Sequence, residues 1–306
     1  MPSPSEQVSC DTPPRAPFPH RVSAWTLTLT AVALSTGAHA QTLNWDANGA
    51  TAGSGGTGAW DTTAPRWFNG TYQAWNNSAL SDAVFSSTAG TVTLGTPITV
   101  HNLTFNTTGY VLSGGTLTLG GVNPTITTNA TTTTINSVIA GSAGLIKAGS
   151  GTLVLAGVNT FSGLAVVQLG TLSITNDAAL GIATLSLANG TTFNFNATSS
   201  SNALTLNGGF VNVTGTGTFN GTPTLAASTE LRLTNAGTFN GNFSDTGANV
   251  LSLTKNAAGT VILGGSNTYS GATQLSSGIL RANSAGALSA NSNIALSGNA
   301  ILELAA

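Results

Sequence analysis

From residue 91 onward the chain alternates apolar and polar positions in short runs. Val92-Thr-Leu94, Ile98-Thr-Val100, Leu103-Thr-Phe105 and Leu117-Thr-Leu119 come first. Leu172-Ser-Ile174, Leu185-Ser-Leu187, Phe193-Asn-Phe195, Leu204-Thr-Leu206 and Leu231-Arg-Leu233 continue the pattern, as do Leu251-Ser-Leu253 and Ile294-Ala-Leu296. A period of two sends the apolar members to one face of a strand and Thr, Ser or Asn to the other. Each run is only three to five residues long and stops at Gly, Asn or Ser. Such strands are too short for a sandwich core of normal depth, but they suit the rungs of a parallel β-helix. The rival architecture, an immunoglobulin-type sandwich, requires longer strands and evenly spaced two-residue hairpin turns. Asn-Gly pairs at Asn69-Gly70, Asn189-Gly190, Asn220-Gly221 and Asn240-Gly241 predict local hairpins or bulges within the coils.

The pattern also repeats on a longer scale. Leu145 to Leu172, LIKAGSGTLVLAGVNTFSGLAVVQLGTL, returns as LTKNAAGTVILGGSNTYSGATQLSSGIL from Leu253 to Leu280, at an offset of 255 − 147 = 108 residues. Lys147 meets Lys255, Gly151 meets Gly259, Leu155 meets Leu263 and Asn159 meets Asn267. Phe161 meets Tyr269 and Gly163 meets Gly271 without a gap. A recurrence of this length predicts a chain built by stacking similar units. The glycines read as corners opened by positive φ. The asparagines read as turn residues that bond their own backbone. The leucines and the aromatic read as interior filling, and the lysines as solvated guards against edge-to-edge pairing.

Composition sharpens this reading. Only 5% of residues are Asp, Glu, Lys or Arg, against roughly 25% in an ordinary soluble chain, so Thr, Ser, Asn and Gly carry the polar surface. Thirty-eight glycines without a triplet period imply many tight turns. The net charge is −2 with no basic cluster, which excludes the electrostatic footprint of a nucleic-acid binder. The fold class expected is all-β: a right-handed parallel β-helix with an aromatic-rich N-terminal cap.

The motif Lys-x3-Gly-Thr-(Leu/Val)-(Val/Ile)-Leu-x-Gly-x-Asn-Thr-(Phe/Tyr)-Ser-Gly resembles the autotransporter-associated β-strand repeat, also called the passenger-associated transport repeat. Its copies lie near 144–172 and 252–280 and cover about a fifth of the chain. The Trp-Asp pairs below and the run Leu103-Thr-Phe-Asn-Thr-Thr-Gly-Tyr110 look like the leaders of large secreted proteins with this repeat. The resemblance implies a right-handed β-helical passenger outside a Gram-negative cell, carried across the outer membrane by a C-terminal β-barrel. Strands of about ten residues with aromatic girdles, which such a barrel needs, do not follow Leu280, so that barrel is not in this chain. The sequence therefore reads as a fragment of a longer passenger or the product of a truncated gene. Its ending, Ile301-Leu-Glu-Leu-Ala-Ala306, reads as an exposed last rung.

Residues 1–40 read as a signal peptide. Arg15, His20 and Arg21 precede an apolar stretch from Val22 to Leu34, and Ala38 and Ala40 set up cleavage before Gln41. The single cysteine, Cys10, falls within that leader, so no disulfide is expected in the mature chain. Residues 41–90 form a tryptophan-rich region, and residues 91–306 the β-helix passenger.

Trp45, Trp60, Trp67 and Trp75 crowd the tryptophan-rich region, with Asp46 and Asp61 directly behind the first two. They read as an aromatic plug closing an open stack, because terminal repeats are atypical caps. The alternative is a glycan-binding face, where indoles stack on sugar rings and carboxylates accept hydroxyls. Asp46-x-Asn48-Gly49 begins like a calcium loop but lacks the remaining oxygen ligands, and no metal or other cofactor is expected. Catalytic chemistry has little to draw on. His101 is the only histidine after the leader, no G-x-S-x-G elbow occurs, and the carboxylates are scattered. Asp46 and Asp61 make the one candidate pair for a polysaccharide-active enzyme. The expected function is a secreted or surface-displayed, adhesin-like stalk without catalysis, its partners being host or matrix glycans or surface proteins.

Overall fold

The computed structural model describes residues 40–129, 131–245 and 247–305. The predicted leader lies outside them, apart from Ala40; Ala40 and Gln41 are both exposed. From Thr42 onward the chain winds as a β-solenoid of about 11 turns. A single short 3-10 turn, Asn77–Ala79, is the one helical element among the described residues.

The solenoid is held by parallel pairing of each coil with the next. Asp82–Phe85, Leu103–Phe105, Thr125–Thr128, Leu145–Ala148, Leu164–Val167 and Thr184–Ala188 stack as one face. Thr91–Leu94, Val111–Gly114, Thr132–Ile135, Thr152–Leu155, Thr171–Ile174 and Thr192–Phe195 stack as a second. Ile98–Val100, Thr116–Leu119 and Val138–Ala140 form a third. The alternation seen in the sequence is the cause of this arrangement. Burial along Thr152–Leu155 runs half-buried, buried, half-buried, buried, so every second side chain enters the coil.

Because neighbouring coils pair in register, inward side chains form columns. Leu103, Ile126, Lys147, Val167, Leu187, Leu206 and Leu225 lie one above another. Leu112, Ile135, Leu155, Ile174 and Phe195 make a second column. Nearly all members of both columns are less than 4% exposed, so the interior is continuous along the axis.

The expectation of uniformly short strands fails for four strands of the upper coils, although Gly237–Phe239, Ile294–Leu296 and Ile301–Leu304 stay short. Leu204–Gly215, Pro223–Leu233, Leu251–Leu263 and Thr273–Ala282 are 10 to 13 residues long. These strands run around a corner, and register shifts at Leu206/Asn207 and Lys255/Asn256 absorb the bend. Of the Asn-Gly pairs, Asn69-Gly70 does make a hairpin, joining Trp67–Phe68 to Tyr72–Gln73 in antiparallel pairing. Asn220 and Asn240 instead stack at successive corners, with Asn240 Nδ2 donating to Asn220 Oδ1 at 2.9 Å.

Pairing passes through residue 90 without a break. Gly58–Trp60 runs parallel to Thr91–Leu94, and Thr42–Trp45 runs parallel to Asp82–Phe85. The last rung is exposed as its sequence predicts, at Ile294, Leu296, Ile301 and Leu304.

The column geometry sets the cost of disturbing it. Leu155→Ala removes packing against Ile135 below and Ile174 above, and should destabilise the protein by about 2–5 kcal/mol in urea unfolding. A change below about 1 kcal/mol would show that the interior is not close-packed there.

Candidate functional site

Two regions concentrate the residues singled out in the sequence: the N-terminal aromatic cluster and the corners of the repeat. In the first, all four tryptophans point inward. Trp45, Trp60, Trp67 and Trp75 are at most 2% exposed. Trp67 lies 4.7 Å from Trp60 and 4.8 Å from Trp75 between ring centroids, and 5.2 Å from Trp45. Phe85 packs against three of these rings and stacks on Phe105 at 4.8 Å, which ties the cluster to the column above. Indole N–H groups of Trp45 and Trp75 donate to the carbonyls of Gly56 and Thr99. A sugar ring stacks only on an exposed aromatic face, so this burial overturns the glycan-binding reading of the four residues. They close the bottom of the stack instead.

The aspartates behind them are equally committed. Asp46 is buried; its Oδ1 accepts from the Ser54 hydroxyl at 2.7 Å and the Asn48 N–H at 3.2 Å. Its Oδ2 accepts from the Tyr72 hydroxyl at 2.5 Å. Burial pushes the Asp46 carboxyl up, but these hydrogen bonds outweigh it and hold the group below its ordinary value. Burial and the bond to Asp46 push the Tyr72 hydroxyl up to about 12. Asp61 Oδ1 accepts from the Ala64 and Thr63 N–H groups and the Thr63 hydroxyl, which lowers its carboxyl too. Both carboxylates pin turns. His101 Nδ1 lies 3.2 Å from Asp82 Oδ1, and no serine is among its hydrogen-bond partners. No group of three or more His, Cys, Asp or Glu side chains gathers among the described residues.

The repeat corners hold the largest departure from expectation. Lys147 and Lys255 are each 1% exposed, not solvated guards of an edge. Both sit at inward positions of their strands, so the alternation carries the side chain into the coil. Lys147 Nζ donates to the carbonyls of Ala148 and Gly149 at 2.8 Å and of Leu169, one coil up, at 3.0 Å. Lys255 Nζ donates to Ala257 O and, at 3.5 Å, to Ser277 O of the next coil. Adding 108 to Gly149 and Leu169 gives Ala257 and Ser277, so the two corners are built alike. Corner carbonyls drop out of the strand ladder, and the ammonium satisfies them.

Asn159 and Asn267 depart in the same sense. They are buried, and their amides bridge three coils, while Asn267 Nδ2 also donates to Gly264 O of its own turn at 3.2 Å. Asn159 Oδ1 accepts from Ile139 N at 2.7 Å below, and Nδ2 donates to Ala179 O at 2.6 Å above. Asn267 accepts from Phe243 N at 2.7 Å and donates to Ala287 O at 2.5 Å. The aromatics fill the interior as expected, both being fully buried. Tyr269 carries a hydroxyl that Phe161 lacks, and it bonds Thr273 Oγ1 at 2.8 Å. The residue matching Thr273 in the first copy is Ala165, so hydroxyl and partner appear and vanish together.

Glycine serves the corners in two ways. Gly259 has φ +96°, as expected of a corner. Gly151 does not need positive φ; a Cβ there would stand 2.1 Å from Thr131 O, so close stacking of coils demands it.

The two copies do not occupy the same face. The column through Leu153 climbs by Leu172, Phe193, Val213 and Leu233 to Lys255. Leu153 follows the corner after Lys147, so the second copy begins five coils up and one face further round. The repeat is a property of a corner and its flanking strands, and different corners accept it. Sequence spacing alone does not report this, because faces are assigned only by pairing.

Burial pushes the Lys147 amine down to about 8 from 10.5 and lowers Lys255 as well. Between about 8 and 10.5 the unfolded chain keeps a proton that the folded chain releases, so stability should rise with pH there and be flat below. Thermal unfolding at a series of pH values tests this. Lys147→Met should be less stable by about 1–3 kcal/mol and show a shallower rise; an unchanged slope would remove Lys147 as its source. The cap makes a separate prediction. In a Trp25→Phe background, the remaining tryptophan fluorescence should resist acrylamide quenching, and ready quenching would contradict a closed plug.

Comparison with known proteins agrees with this architecture. The model of the passenger-associated-transport-repeat matches residues 145–174 and 253–282. An adhesin BmaC autotransporter of Brucella suis biovar 1 (strain 1330) is 55% identical over 161 residues, 51% of this chain. The aligned part spans only 5% of that protein's length. No solved structure matches. The chain carries two passenger-associated-transport-repeats, set one face apart on a β-solenoid.

Proposed function

We propose that this chain is a structural segment of an autotransporter passenger, a stalk displayed on or released from the surface of a Gram-negative cell. The observation that carries this reading is the repeat itself. Both copies spend their lysine and asparagine side chains on joining coils and bury their aromatic in the interior, leaving them no free chemistry. The relative's name, an adhesin autotransporter, favours an adhesive role for the assembly in which such a stalk stands. In this reading residues 1–40 direct export, residues 41–90 cap the stack and residues 91–306 form the shaft. The stalk performs no catalysis, since Asp46 and Asp61, the best candidate pair, hold the loops of the cap.

Each coil draws its hydrogen bonds from its immediate neighbours, so folding can advance coil by coil as the chain emerges outside the cell. Chains lengthened at the C-terminus by one coil at a time should gain protease resistance in steps. An all-or-none gain at full length would count against a shaft that folds progressively.

A further inference from the structure

Six Asn-Gly bonds lie along the chain, at Asn48, Asn69, Asn189, Asn207, Asn220 and Asn240. Asparagine before glycine is prone to lose its side-chain ammonia, because glycine leaves the following backbone nitrogen unshielded and free to rotate. That nitrogen must swing onto the asparagine Cγ, so the fold decides which of the six bonds can react. Four are closed. Gly49 N–H donates to Asp46 O at 3.3 Å, and the buried Gly208 donates its N–H to Thr229 Oγ1 at 3.1 Å. Gly221 and Gly241 are buried between coils. A Cβ on them would stand 2.0 Å from Asn202 O and 2.1 Å from Gly221 O, so their peptide planes have no room to turn. Their asparagines are also tied together, Asn240 Nδ2 donating to Asn220 Oδ1.

Two bonds are open. Asn69 and Gly70 are both exposed at the tip of the cap hairpin, where Gly70 has φ +104°. No heavy atom comes within 4 Å of the place a Gly70 Cβ would take. The Asn69 amide bonds Gln41 and Gln73 in exposed contacts, which water readily replaces. Asn189 and Gly190 are likewise both exposed, on the turn that joins Thr184–Ala188 to Thr192–Phe195, with Gly190 at φ +76°. That turn is closed by the Thr191 N–H and hydroxyl, which both donate to Ala188 O and do not engage the glycine nitrogen.

We propose that Asn69 and Asn189 are sites of spontaneous deamidation in the folded chain, while the stack and its bonds keep the other four intact. Hydroxide takes the proton of the glycine nitrogen, which bonds to Cγ; the Cγ–Nδ2 bond breaks and ammonia leaves. Water then opens the resulting succinimide at one of its two carbonyls, giving aspartate or isoaspartate. Each conversion puts a carboxylate where a neutral amide stood, in a chain whose net charge is only −2. An isoaspartate also routes the backbone through Cβ and lengthens it by a methylene, which a tight turn absorbs only by shifting. At Asn69 that shift falls on the hairpin beside the tryptophan plug, and at Asn189 on the corner between two faces of the solenoid. The shaft therefore gains negative charge with age at two fixed points.

Peptide mass spectrometry of the full chain, incubated in mildly alkaline buffer with and without urea, tests the proposal. In the folded chain Asn69 and Asn189 should convert at least about tenfold faster than Asn48, Asn207, Asn220 and Asn240, the ratio that a barrier difference of about 1.4 kcal/mol gives. In urea, where the stack is gone, all six should convert at similar rates. Methyl transfer by an isoaspartyl methyltransferase should label the two open sites of the aged folded chain. A folded chain in which Asn69 or Asn189 is as slow as the other four overturns the assignment. So does a spread of rates that persists in urea, because the selectivity would then belong to the sequence and not to the fold.

Discussion

Parallel in-register pairing between successive coils is the constraint on which this structure depends. Once one coil lies directly on another, every inward residue must fit above its equivalent. That requirement makes the columns, such as Leu112, Ile135, Leu155, Ile174 and Phe195, and it keeps large polar groups out of them unless they find partners. It also dictates glycine at Gly151, where a side chain would strike the carbonyl of Thr131 in the coil below. A β-sandwich would distribute its packing between two sheets; here the packing runs along one axis.

Corners are the weak points of such a stack. Backbone N–H groups of the next coil reach many carbonyls at the bends, such as those of Gly141, Gly151 and Gly163, while those of Ala148, Gly149 and Leu169 accept from the Lys147 ammonium. The repeat thus adds two side chains that reach beyond their own coil. Lys147 and Lys255 bond carbonyls of their own corner and of the coil above, while Asn159 and Asn267 bridge the coils on either side. The motif thus extends across more coils than its length suggests. Its appearance on two different faces shows that it solves a problem common to different corners.

The bottom of the stack poses the opposite problem, an open end. Four tryptophans and Phe85 fill it, and the antiparallel hairpin of Trp67–Phe68 and Tyr72–Gln73 lies beside the first strand. The buried Asp46 carboxylate organises the loops around this plug by accepting from Ser54, Asn48 and Tyr72. Residues that resemble a binding face in sequence thereby become the cap of a shaft.

Several features were determined by the sequence itself. Period-two alternation gave inward and outward faces, and the recurrence at 108 residues gave a stack of like units, because both depend on local spacing. The interior roles of Leu155, Leu263, Phe161 and Tyr269 follow from the same spacing. The burial of Lys147 and Lys255 was partly legible, since each lysine stands at an apolar phase of its strand. Chemical type argued for the surface; only the carbonyls brought near by coil stacking made burial tolerable. Trp45 to Trp75 were ambiguous for a related reason: an aromatic cluster serves a binding face or a plug equally well. Tertiary structure alone decided that the rings are shut away from solvent, and it alone placed the second repeat one face further round. Both depend on which strands pair, and pairing partners some twenty residues apart leave no mark on the local pattern.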